Sequence, residues 1–168
     1  MGNIIVEFTR EHYSKDKDIK QLMAYIAGEG SNIEKETSYV GAHGLRKDYE
    51  VAAQQIIRMQ EGLGKNSKRR MYHIIVSLPE NVQKIDKVKR VAKRIGKMLF
   101  IEEGHQVFYG IHWSKKHKHI HFAVNAVMIK GEKPRKWHKN KEEFEEFKKK
   151  VIKLVEEELY GFWGYSVV

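Results

Sequence analysis

An α+β domain in two layers, an antiparallel sheet with helices packed on one face, is what this sequence predicts, and three features predict it. Residues 71–78, 106–113 and the stretch from His119 onward alternate with the period of two expected of strands. Amphipathic stretches with helical period lie around them. The strands also agree on polarity: His119, His121, Ala123 and Asn125 oppose Ile120, Phe122, Val124 and Ala126, His112 and Gly110 oppose Ile111, Tyr109 and Val107, and His73 and Ser77 oppose Tyr72, Ile74 and Val76. Helices packed on the apolar side would leave an open face that carries the histidines.

In chain order, residues 3–8 read as a first strand and 16–27 as a short helix with Ile19, Leu22, Met23 and Ile26 on one face and Tyr25 on or near it. A glycine-containing loop with Gly28, Gly30 and Gly41 to Gly44 follows. A second helix over about 47–61 is closed by Gly62 and Gly64. The basic turn 65–70 feeds the strand that ends at Pro79. Val82, Ile85, Val88, Val91, Ala92, Ile95, Met98 and Leu99 mark an amphipathic helix over about 81–100, and the two histidine-bearing strands come next. Asn140 with Glu143 resembles a capping box for a last helix over about 141–159, expected as a surface element laced by i,i+4 ion pairs. No repeat, linker or second domain interrupts this order, so residues 1–168 read as one domain.

The balance of 32 lysines and arginines against 22 acids gives a formal charge of +10, which favours a polyanionic partner, nucleic acid first. No apolar run approaches the roughly 18 residues of a spanning helix, and Met1 opens no signal-peptide pattern, so the chain is expected in the cytoplasm. Without cysteine, any metal is held by nitrogen and oxygen donors.

Four of the nine histidines fall in the ten residues from His112 to His121. Imidazoles two apart on a strand share a face, so His119 and His121 can grip one ion while Ile120 turns to the core. A hairpin connection through 114–118 folds His112 back beside them. Three neutral imidazoles with an open side are what a catalytic metal needs, since a closed shell leaves no room for substrate. The alternative is a set of solvated histidines on a basic strand.

The His119-Ile-His121 pair, His112 seven positions before it, the continuation Phe122-Ala-Val-Asn-Ala-Val127 and Gly131-x-Lys133 resemble the HUH endonucleases, in particular the MOBP-like relaxases that mobilise conjugative elements. Leu22-Met-Ala-Tyr25-Ile26 resembles their N-terminal tyrosine motif and Tyr72-His-Ile-Ile-Val-Ser77 their middle motif. The resemblance implies an HUH/RRM-like palm, a divalent ion, Mn2+ or Mg2+, on His112, His119 and His121, and attack by Tyr25 on single-stranded DNA at an origin of transfer. The product is then a 5′-phosphotyrosyl enzyme and a free 3′-hydroxyl, formed among relaxosome accessory proteins. Many relatives carry an acid where this chain has Ser114; His117, Glu132 or a water can substitute.

Around the site, Lys65, Lys68, Arg69, Arg70, Lys115, Lys116 and Lys118 are expected to neutralise DNA phosphates, and Trp113 and Trp137 can stack on bases or fill the core. His117, Asn125 and His73 are auxiliary candidates, His73 for a DNA contact or for packing. Tyr39 and Tyr13 compete with Tyr25 as nucleophile. Cupin oxygenases expect a glutamate where this chain has Asn125, and H-x-H-x-D-H hydrolases an aspartate absent here. The remaining rivals are an HUH replication initiator or transposase, which usually carries its tyrosine after the histidines, and a non-catalytic basic DNA-binding module.

Overall fold

The computed structural model describes residues 3–29, 37–63, 68–114, 116, 118–130 and 134–161. The order is β1 (Ile5–Phe8), α1 (Asp16–Ile26), β2 (Thr37–His43), α2 (Tyr49–Gly62), β3 (Met71–Ser77), α3 (Ile85–Ile101), β4 (Val107–Trp113), β5 (Lys118–Asn125) and α4 (Lys141–Tyr160). The strands form one sheet in the order β1-β3-β5-β4-β2, antiparallel at every pairing. The α+β class and antiparallel sheet are as expected from the alternating strands.

Local signals start the helices. Asp48 accepts from the Glu50 and Val51 amides ahead of α2, satisfying donors that have no partner within the helix. Asn140 caps α4 by accepting from the Glu143 amide at 3.1 Å. The expected capping box is only half formed, because the Glu143 side chain is drawn to Arg135 instead. Nor is α4 a mere surface element: it buries Phe144, Phe147, Val151 and Val155, and its Glu157 and Glu158 pair across to Arg94 on α3.

Two cores share the sheet. Helices α3 and α4 cover the side carrying Tyr72, Ile74, Val76, Ile111, Ile120 and Phe122, the apolar face that the alternation identified. On the other side, α1 and α2 bury Ile19, Met23, Ile26, Ile56 and Ile57 against Met71, Phe108 and Ala123. The histidine-bearing face is therefore not open along its length. The α1–α2 pair covers one end of it because that end carries Met71, Phe108 and Ala123 rather than polar groups.

Strand β2 was expected as loop. Its glycine dilutes the strand signal, yet the structure requires that glycine: a Cβ on Gly41 would fall 2.2 Å from the Tyr109 ring, so only glycine lets β2 pair with β4 here.

Candidate active site

The site begins with strand register. In the β4–β5 hairpin His112 lies directly opposite His119 and Gly110 opposite His121, while β3 brings His73 opposite Ala123 on the other flank of β5. Four imidazoles thus share one face. Ring centroids are 4.1 Å apart for His112 and His121, 5.9 Å for His119 and His121, and 5.0 Å for His73 and His121.

Tyr25, on the last turn of α1, is set over this cluster. Its ring centroid lies 5.4 Å from His112, 5.5 Å from His121 and 5.9 Å from His73, and the residue is 37% exposed. Gly110 explains the placement: a Cβ there would stand 2.3 Å from the carbonyl oxygen of Ile26, so the end of α1 rests on bare strand backbone. That carbonyl accepts from His112 Nε2 at 3.3 Å and from the Thr37 hydroxyl at 3.2 Å, which anchors an otherwise unpaired helix terminus. Gly28, at φ 79°, then turns the chain away in a conformation that glycine adopts without strain.

Behind the cluster runs a hydrogen-bonded chain. His73 Nε2 is 2.8 Å from His121 Nδ1, the Tyr13 hydroxyl is 3.2 Å from His73 Nδ1, and Thr9 Oγ1 is 3.0 Å from the Tyr13 hydroxyl. Two opposite proton directions satisfy every bond of this chain. In the one that runs from His121 Nδ1–H to His73 Nε2, from His73 Nδ1–H to Tyr13 and from Tyr13 O–H to Thr9, the His121 lone pair is on Nε2, where it can ligate a metal. Tyr13 holds its place at φ 52°, a left-handed conformation uncommon for a residue with a side chain and the kind of strain found near functional sites.

Burial is the main cause of the electrostatics. It pushes His73 down to about 4 and, with His112 also disfavouring charge, His121 down to about 2. Both are neutral at pH 7, the state in which imidazole ligates a metal. Among the described residues, no group of three or more histidine or carboxylate side chains is arranged to hold an ion. The donors nevertheless fit one chemically: imidazoles on adjacent strands, with His121 held by His73 through its Nδ1 as metal-ligating histidines are held through their second nitrogen.

Other expected residues are placed elsewhere. Arg69 is 3% exposed, donates to the Glu11 and Arg10 carbonyls and lies over the Tyr72 ring, so it braces the β1–α1 connection and is not presented to a phosphate. Arg70 is bonded to Asp16 and Gln60, both at 2.6 Å. Lys118 is buried, with its ammonium donating to the Glu80 carbonyl. Lys68 and Lys116 are exposed; Lys65, Lys115, His117, Gly131, Glu132 and Lys133 lie outside the described residues.

Asn125 is fully buried, accepts from Gln60 and the Val127 amide and donates to Gln106. Trp137 is core, packed on Tyr72 and Phe147, and Trp113 lies under the Lys118 ammonium. Tyr39 faces Tyr109 on the α3 side of the sheet, away from the histidines. Tyr13 is at the site, but burial pushes its hydroxyl well above the ordinary tyrosine value, which suits a donor rather than a nucleophile. Its role, and those of Thr9 and Gly110, depend on contacts between distant segments. Only the shared face of Gly110 and His112 hinted at them.

A family model described as "Relaxase: MobA/VirD2-like, nuclease domain" matches residues 25–157. No curated protein matches the chain. A solved chain from work titled "Molecular Basis of Vancomycin Resistance Transfer in Staphylococcus aureus" is similar in structure at TM-score 0.68 and 17% identity, over 98% of this chain and 95% of that one. At that identity the likeness concerns the fold.

Proposed function

The chain belongs to the MobA/VirD2-like relaxases, matching the model of their nuclease domain, and from that premise we propose that it nicks single-stranded DNA at an origin of transfer with Tyr25 as nucleophile. The observation that carries the assignment of Tyr25 is its ring within 6 Å of His73, His112 and His121. In this reading the Tyr25 oxygen bonds to the scissile phosphorus, the P–O3′ bond breaks, and the product is a 5′-phosphotyrosyl enzyme with a free 3′-hydroxyl. The tyrosine proton passes to solvent, which the partial exposure of Tyr25 admits, and the leaving 3′-oxygen takes up a proton. The ester retains the energy of the broken bond for later rejoining.

Relaxases generally use a divalent metal. Here His112, His119 and His121 would hold it, Mn2+ or Mg2+ on the family's precedent, and when bound it would neutralise charge developing on the phosphate. The chain's own contribution is placement. Gly110 and the Ile26 carbonyl seat Tyr25, the Thr9–Tyr13–His73 chain orients His121, and burial keeps His73 and His121 neutral. We read residues 1–168 as one nuclease domain acting in the cytoplasm with relaxosome accessory proteins. No helix among the described residues is long and apolar enough to cross a membrane.

The test is labelled single-stranded DNA bearing a candidate nick site, incubated with Mn2+ and analysed on a denaturing gel and by mass spectrometry. An adduct on Tyr25 that is lost on chelation and in Tyr25→Phe is expected. An adduct on another tyrosine would overturn the assignment of Tyr25, and tight binding without cleavage of a verified origin would favour the non-catalytic module.

A further inference from the structure

Beside Tyr25 opens a groove whose composition is at odds with the rest of the molecule. It is a cavity of about 710 Å³ between the β1–α1 connection and α1, and Tyr25 and His73 line it as well as the histidine cluster. The chain carries 32 lysines and arginines, yet none of those among the described residues lines this space, whereas Glu11 and Asp18 do, and so does His12. Asp18, Gln21, Leu22 and Tyr25 form its helical wall at positions i, i+3, i+4 and i+7, one stripe of α1 leading straight to the tyrosine.

That composition separates the parts of a nucleotide. If a scissile phosphate lies at Tyr25, a reading that rests on the proposed function, the adjoining nucleotide must leave the cluster along its surroundings. A phosphate in the groove would meet two carboxylates and, among the described residues, no lysine or arginine, with only the imidazoles of His12 and His73 to offset them. A base meets what it needs: the apolar surfaces of Leu22, Ile75 and the Tyr13 ring against its faces, and acceptor-only carboxylates at its edge. The Asp18 carboxylate is already held in place, its Oδ2 accepting from the Lys15 amide at 3.0 Å. Adenine, cytosine and guanine offer exocyclic amine donors to such acceptors, and thymine does not.

We propose that this groove holds the base of a nucleotide adjoining the scissile phosphate and selects a base with an exocyclic amine over thymine. The groove thus supplies sequence preference next to the bond, while the basic surface elsewhere supplies affinity for the backbone.

The experiment uses a pool of single-stranded DNA with randomised bases, incubated with the full chain and Mn2+. The retained strand of the covalent adduct and the released fragment are both sequenced, and so is the fraction bound at equilibrium by Tyr25→Phe. Thymine should be depleted about tenfold at one position flanking the nick, as expected for one good edge contact. The depletion should shrink severalfold in Glu11→Gln and in Glu11→Gln combined with Asp18→Asn, a pair that retains an acceptor for the Lys15 amide. Adducts with no thymine bias at either flanking position would overturn the groove assignment and leave the nicking reading intact. A localised bias in the bound fraction, lost in the variants and without any adduct, would support the groove while removing the catalytic reading. A bias that survives both variants would also overturn the proposal.

Discussion

Gly110 carries no reactive group, yet the seat of Tyr25 depends on it. A Cβ at this position would stand 2.3 Å from the Ile26 carbonyl oxygen, and backbone cannot swing aside as a side chain can. Gly110→Ala is therefore expected to lower stability by about 1–3 kcal/mol, read by thermal melting, and to reduce adduct formation by more than that loss explains because Tyr25 is displaced. Gly62→Ala is the control: nothing lies within 4 Å of its added Cβ, so stability should hold or rise slightly. Tyr13→Phe tests the hydrogen-bonded chain in a different way. It leaves His73 Nδ1 without its partner at 3.2 Å, and loosening the hydrogen bonds that hold a metal-ligating histidine such as His121 weakens metal binding by up to about 10–100-fold. Calorimetric titration with Mn2+ in the absence of DNA would show this, and unchanged affinity would reduce the chain to packing. That His112, His119 and His121 share one face was legible in the sequence because the period of a strand and the closure of a hairpin are local rules. Tyr13 was legible only as a rival nucleophile, because its partner His73 is 60 residues away.

At the scale of elements, the expected basic clusters divide according to where they sit on the strands. Arg69 and Arg70 immediately precede β3, where the chain enters the sheet between α1 and α2, and the fold uses their charge on the Glu11 carbonyl and on Asp16. Lys118, the first residue of β5, is committed to the Glu80 carbonyl. Composition reports how many cations there are but not which of them the backbone will claim. The separation is measurable through the slope of log Kd against log salt. Lys68→Ala and Lys116→Ala should each reduce the slope by up to about one, since each removed phosphate contact removes one released counterion. Arg69→Ala should leave the slope unchanged and lower the melting temperature, because it removes a buried side chain that bonds two part-buried carbonyls. A changed slope in Arg69→Ala would restore it to the DNA surface. The elements themselves were legible wherever periodicity was strong. The edge strand β2 was not, since Gly41 is required by a tyrosine on another strand.

Taken whole, the molecule is a sheet between two cores, with buried histidines where the layers meet it, and this makes its stability depend on pH in a calculable direction. His105 is fully buried, its Nδ1 paired with the Asn125 carbonyl at 2.7 Å, and burial pushes it down to about 4. His73, on the opposite face, also falls to about 4, and His121 to about 2. An unfolded histidine titrates near 6.5, so between about pH 6.5 and 4 the unfolded chain binds protons that the native chain refuses. Stability then rises with pH across this window and falls as pH drops through it. Above about 6.5 these groups are neutral in both states and contribute no slope. By pH 4 a single independent group with such a shift, such as His105, costs on the order of 3 kcal/mol, a sizeable share of the stability of an ordinary domain. Denaturant titrations of the metal-free protein should show a plateau from pH 7 to 8 and a steep loss between 6 and 4. His105→Gln, on the face of the sheet opposite Tyr25, should flatten part of that loss without altering the slope of DNA binding with salt. A pH-independent midpoint over 4–7 would mean that these histidines are reached by solvent and that the two-core account of the sheet is wrong.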